Sequence, residues 1–113
     1  MIVKRIAIFF EFIQIAVQNA LHVREVIASL LLLIVFGGFG ISNLEGIKLG
    51  DAMYFAFITA LSVGYGDIHP ETGGGKLVSV GIAFIGMLFV GITVAIATRS
   101  LAETTKRHLP SRD

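Results

Sequence analysis

The residues of this 113-residue chain whose types and spacing could do chemistry lie in the run Asp51-Ala-Met-Tyr-Phe-Ala-Phe-Ile-Thr-Ala-Leu-Ser62-Val63-Gly64-Tyr65-Gly66-Asp67. Asp51, after Gly50, is a good N-cap for a helix over 52–61, and its carboxylate suits the positive end of the helix dipole. The far end of that helix carries partial negative charge, which stabilises a cation. Gly64 and Gly66 can take positive φ, so alternating backbone handedness along 62–66 aims successive carbonyls the same way. A column of such oxygens replaces the hydration shell of a monovalent cation. One loop supplies one oxygen per layer and an ion needs several, so the arrangement requires several copies of the chain around an axis. The chemistry is coordination by backbone oxygen, with no covalent step, so the chain does not read as an enzyme.

The elements that must position this segment follow from charge and hydropathy. Hydrophobic residues make up 55% of the chain and charged residues 15%, against roughly 45–50% and 25% in an average soluble domain. A short chain with so few polar residues is simplest to explain with lipid as its solvent. No charge occurs over the 17 residues 26–42 or the 22 residues 77–98. At about 1.5 Å per residue the second run crosses a hydrocarbon core of about 30 Å, and the first does so if Val23 to Glu25 continue the helix and Arg24 snorkels. A third uncharged run, 52–66, is shorter and ends in Gly-Tyr-Gly, so it should enter the membrane and turn back. Backbone of that kind is tolerated at membrane depth only where it is buried in protein or lines a water-filled path.

Ahead of these runs, Lys4, Glu11, Gln14, Gln18, His22 and Glu25 fall within about 80° of one another on a helical wheel, with Arg5 and Asn19 outside the stripe. A narrow polar stripe on an apolar helix over 1–22 fits one lying in the membrane interface; a third span or an uncleaved signal-like segment is the alternative. With both termini on one side, that side holds Lys4, Arg5, Arg24, Arg99, Lys106, Arg107 and Arg112, against Lys48 and Lys76 between the spans. Both termini are therefore expected in the cytoplasm of a multi-pass cell-membrane protein. The net charge of +1 offers no field for nucleic acid, and zero cysteines exclude disulfides and thiolate chemistry. No nucleotide fingerprint, calcium loop, Arg-rich voltage sensor or internal repeat is present.

The Ser62-Val63-Gly64-Tyr65-Gly66-Asp67 run, after a short helix and between two spans, resembles the potassium-channel signature, in the two-span tetrameric form of prokaryotic type. The resemblance covers about 23–98. It implies an all-α membrane protein with an outer helix (23–42), a re-entrant pore helix (51–61), a filter (62–67) and an inner helix (76–100), forming a homotetrameric pore domain over 23–100 with a short cytoplasmic tail at 101–113. In that family's arrangement potassium ions are held by the carbonyls of Ser62, Val63, Gly64 and Tyr65, with the Ser62 hydroxyl added at the innermost layer. Gly66 closes the strand and Asp67 faces the outer mouth. Val63 and Tyr65 side chains point away from the axis into pore-helix packing. No cofactor is implied beyond the permeant ions.

Departures from the family pattern matter. Ser62 stands where most members have Thr and lacks the methyl that restricts χ1. Tyr54 and Phe55 replace two aromatic Trp residues, and Phe55 has no hydrogen-bonding group for Tyr65. Thr59 is then placed to reach the Tyr65 hydroxyl and Tyr54 to reach Asp67. Ile58 replaces a buried Glu that some two-span members pair with the Asp at this place, so filter inactivation that depends on the pair is expected to be altered.

Gly81, Gly86 and Gly91 recur every five residues and so do not share a face. By similarity Gly86 falls at the bend of the inner helix, leaving Gly81 and Gly91 for close packing. Val94, Ala95 and Thr98 fall near the cytoplasmic crossing, as a gate or as plain packing residues. His69 stands at the outer mouth, as a possible proton-sensitive ring or a solvated loop residue. Gly73 to Gly75 reads as a flexible turn. The tail frays, continues the inner helix or touches anionic lipid. Three rivals remain: a weakly selective monovalent cation channel, a non-conducting subunit that lowers the current of a larger channel, and the pore piece of a longer protein, which Met1 disfavours.

Overall fold

A computed structural model describes residues 2–108 of the chain. Four α-helices follow one another: α1 (Ile2–His22), α2 (Arg24–Glu45), α3 (Leu49–Ala60) and α4 (Gly73–His108). Met1 and the tail residues 109–113, Arg112 among them, lie outside the described residues. α2 and α4 are both long and apolar enough to cross a membrane, with mean hydropathy of 2.1 and 2.5 over their most apolar windows. α3, also apolar, has 12 residues, about 18 Å of helix and too short to cross.

The chain divides into two compact units, one formed by residues 25–91 and the other by the two terminal segments up to Arg24 and from Ile92. In the first, Leu30, Ile34, Gly38 and Ile41 make one buried stripe on α2 at helical spacing. Ile34 and Ile41 pack with Ala52, Phe55, Ala56 and Ala60 of α3 and Ile82 of α4 in a single apolar core. Two glycines of α2 make that packing possible. A Cβ on Gly37 would lie 2.6 Å from the Ile82 side chain, and one on Gly38 the same distance from the Met53 sulfur.

Several helix limits differ from the sequence expectation. α2 does not stop at 42 among its glycines; it runs to Glu45 and closes where Gly46 takes φ +66 and its N–H bonds the Ser42 carbonyl at 3.0 Å. α3 starts before Asp51, because the Lys48 carbonyl already accepts the Ala52 N–H at 3.0 Å. Lys48 is the cap residue and makes no side-chain cap bond, while Asp51 sits in the first turn, still at the positive end of the dipole. α4 begins at Gly73, so Gly73 to Gly75 form its first turn and not a flexible loop. It also continues past 100 to His108, so the described part of the tail is helix and is not frayed.

In the other unit α1 lies antiparallel to the last turns of α4. The Asn19 amide donates to the Ser100 hydroxyl at 2.9 Å, and Arg107 meets Glu11 at 3.1 Å. His108 also bonds the Glu11 carboxylate. Ile15, Ser100 and Thr104 are buried between the two helices, and the small side chains at 100 and 104 let the helices approach closely. Thr104 donates its hydroxyl to the Ser100 carbonyl, so neither buried hydroxyl is left without a partner. Of the polar stripe on α1, Glu11 turns toward α4, while Lys4, Gln14, Gln18 and His22 are exposed. Phe9, Phe10, Ile13 and Val17 leave a broad apolar flank uncovered within the chain.

Candidate functional site

The segment from Ser62 to Asp67 begins at the C-terminus of α3. Leu61 is the cap residue; the Ser62 N–H bonds the Thr59 carbonyl at 3.1 Å, and the Val63 N–H reaches the Ile58 carbonyl at 2.9 Å. This pair of crossed bonds is a Schellman closure, which needs a left-handed residue just past the cap. That residue is Ser62, at φ 65. Glycine is the usual occupant because L side chains crowd the carbonyl in this conformation, so the residue type gave no warning of it. Gly64 and Gly66 follow at φ 58 and φ 82. Positive φ therefore recurs at every second residue, one step earlier than the two glycines alone predict.

The Gly64 N–H also points back to the Ile58 carbonyl, at 3.2 Å. Donors at 62, 63 and 64 are thus bound by the end of α3, and none of those hydrogen bonds uses a carbonyl of 62–66. Phe55 is buried in the core as a purely apolar element. Tyr54 is exposed on α3, and Asp67 is exposed at the end of the segment. Thr59 is half-buried, and its backbone carbonyl serves the turn. Val63 is 48% and Tyr65 72% exposed. Their side chains are not covered by α3 of their own chain. His69 is exposed in the loop that follows.

Sequence reasoning overlooked Glu45. Its carboxylate accepts the Glu71 N–H at 2.5 Å, the Thr72 N–H at 3.1 Å and the Thr72 hydroxyl. Thr72 in turn caps α4, its hydroxyl oxygen taking the Gly75 N–H at 2.9 Å. The end of α2 is thereby tied to the start of α4 across the return from the filter segment. A Cβ on Gly75 would collide with the Glu45 carboxylate, which explains a glycine in the first turn of a helix. One signal was available: an acid in the last turn of a helix opposes the dipole there and suggests a partner elsewhere.

A Cβ on Gly86 would run into the backbone of Ala60, whereas one on Gly81 or Gly91 would meet no other part of the described residues within 4 Å. Within one chain, close approach is found at Gly86. α4 is uninterrupted at Gly86. Val94, Ala95 and Thr98 are exposed on its later turns.

Two apolar spans with a short helix between them, closed by a left-handed turn into a glycine-alternating segment, define a multi-pass membrane protein of the pore-loop type. The family model described as an ion channel matches residues 28–103, and the chain belongs to this family. The family is not enzymatic. Among relatives, the chain is 43% identical over 47 residues to two pore potassium channel c of Oryza sativa subsp. japonica, covering 42% of this chain and 10% of the relative. It is 41% identical over 49 residues to potassium voltage-gated channel subfamily A member 6 of Homo sapiens, covering 43% and 9%. It is 30% identical over 64 residues to small conductance calcium-activated potassium channel-like protein 3 of Caenorhabditis elegans, covering 57% and 9%. The matched stretch is about a tenth of the length of these relatives. No solved structure matches.

Proposed function

We propose that the chain forms a potassium-selective channel in which four copies surround one axis and potassium passes down its electrochemical gradient. The carbonyls of Ser62, Val63, Gly64 and Tyr65 coordinate the ion in successive layers, Gly66 ends the strand, and Thr59, Tyr54 and Asp67 support it from behind. The observation that carries this reading is positive φ at Ser62, Gly64 and Gly66, directly after a helix whose dipole ends there. The N–H groups of 62–64 are held by α3, which leaves carbonyls for a ligand. Assembly of copies also accounts for the exposure of Val63 and Tyr65, whose rings and methyls would pack against neighbouring pore helices.

Opening involves the inner helices where Val94, Ala95 and Thr98 cross, with Gly86 as the bend, and His69 rings the outer mouth. α1 lies at the membrane interface with its uncovered apolar flank in lipid, both termini face the cytoplasm of a cell membrane, and basic residues at the termini favour anionic lipid. A weakly selective cation pore is the second reading, favoured by Ser62 at the innermost layer.

The test is a planar-bilayer recording of the purified chain under potassium/sodium bi-ionic conditions. A barium-blocked current reversing near the potassium potential supports the proposal. Reversal near zero favours the weakly selective pore, and absence of current at every voltage and pH overturns both in favour of a non-conducting subunit.

A further inference from the structure

Where the last charge-free stretch of α4 ends, a cleft of about 240 Å³ opens between α1 and α4. Val23, Ile92 and Ile96 give it an apolar lining, and Asn19, His22 and Arg99 stand at its polar side. Arg99 is the first charge after residues 77–98, so it marks the level at which α4 leaves the hydrocarbon, and the apolar lining lies on the lipid side of it. The Arg99 side chain is 75% exposed, and its pairing with Glu103 uses Nε at 3.3 Å, leaving the terminal guanidinium nitrogens outside that bond. The Asn19 amide is already committed to Ser100, and His22 Nδ1 to the Gln18 carbonyl at 2.9 Å, so Nε2 is the ring nitrogen outside that contact.

The volume is below the ~300–1,000 Å³ of a site that encloses a whole drug-sized ligand, so the cleft takes part of a molecule whose remainder lies in the bilayer. An apolar slot on the membrane side, with a guanidinium at its mouth, is complementary to an amphiphile with an anionic head and a hydrocarbon tail. Arg is suited to phosphate through its planar fork of donors. We infer that this cleft is a binding site for one anionic phospholipid of the leaflet on the side of the termini, its phosphate on Arg99 and the upper part of one acyl chain between Val23, Ile92 and Ile96. The inference narrows the general preference for anionic lipid proposed above to one defined site, and it rests on the membrane placement of α4 but not on conduction.

A bound lipid would join α1 to the end of α4 beside the Asn19 to Ser100 bond. The Glu103 carboxylate opposes it by holding the Arg99 Nε, so removing that charge should favour the lipid.

The experiment is native mass spectrometry of the full chain released from detergent after incubation with dioleoylphosphatidylglycerol or dioleoylphosphatidylcholine, with inorganic phosphate as a headgroup control. The expected result is retention of the phosphatidylglycerol over both other probes. Arg99→Gln should lower it about fivefold, the effect of one basic residue at a membrane surface. Ile96→Phe, which fills the slot, should also lower it, and Glu103→Gln, an isosteric change at a half-buried side chain, should raise it. Lys106→Gln removes the same charge outside the cleft and should leave retention unchanged. Equal losses in Arg99→Gln and Lys106→Gln, or equal retention of the two lipids, would overturn the site. A chain that retains the lipid but passes no potassium would overturn the channel proposal alone, and one that conducts without retaining it would overturn this inference alone.

Discussion

Gly86 in α4 abuts Ala60, the last residue of α3: a Cβ on Gly86 would sit 2.6 Å from the Ala60 carbonyl carbon. The obstacle is backbone at a helix end, which has little room to move. Because Ala60 is followed directly by the turn into 62–66, this contact links the position of α4 to the start of that segment.

Gly86→Ala should therefore destabilise the chain by about 1–3 kcal/mol through overpacking, read as a lower unfolding temperature in detergent. A glycine that served only as a bend would change opening and leave stability unaltered or improved. Gly81→Ala and Gly91→Ala meet open space among the described residues and should each gain about 1 kcal/mol from helix propensity. A loss at either position would identify a contact made with another copy.

Ser62 holds a left-handed conformation that costs an L residue roughly 1–2 kcal/mol and is worse for a β-branched one. Ser62→Thr, which restores the residue most common in the family's signature, should lower the unfolding temperature here, whereas Ser62→Gly should raise it. Identical stability of the three forms would count against a left-handed Ser62. Bi-ionic reversal potentials of the same variants separate the backbone effect from that of the hydroxyl.

Glu45 holds both the chain entering α4 and the residue that caps it. Glu45→Ala should speed hydrogen exchange at amides 71–75 and lower the unfolding temperature, with Glu45→Gln in between because one acceptor oxygen remains. Exchange unchanged in both variants would mean that Thr72 alone caps the helix.

Hydrogen bonds from His108, then from Arg107, hold the Glu11 carboxyl below its ordinary value of 4.5. A carboxyl that is depressed in the folded state adds stability above its unfolded value and loses it as pH falls through the lower folded one. The packing of α1 on the end of α4 should therefore be intact at neutral pH and loosen as the medium is acidified below 4.5. Exchange of the α1 amides against pH would follow this, and Glu11→Gln should remove the acid dependence. An unaltered profile in that variant would exclude Glu11 as its source.

The amino-acid sequence alone determined that this is a membrane protein with two spans and a short apolar helix between them, ending in a segment built for unusual backbone. Those properties are local: an uncharged run of 22 residues is long enough to cross a bilayer whatever surrounds it, and Gly64 and Gly66 permit positive φ wherever they lie. The tertiary structure decided what depends on partners far along the chain. Glu45 meets Glu71 and Thr72, 26 and 27 residues away, and Asn19 meets Ser100 over a separation of 81. No periodicity or spacing encodes such pairs. The start of α4 shifted for the same reason: Gly73 to Gly75 read as a flexible turn, but Glu45 and Thr72 come close to Gly75, and these contacts hold the triplet in the helix. Ser62 belongs to this second group as well, since the Ile58 and Thr59 carbonyls draw it into a conformation that its own side chain disfavours.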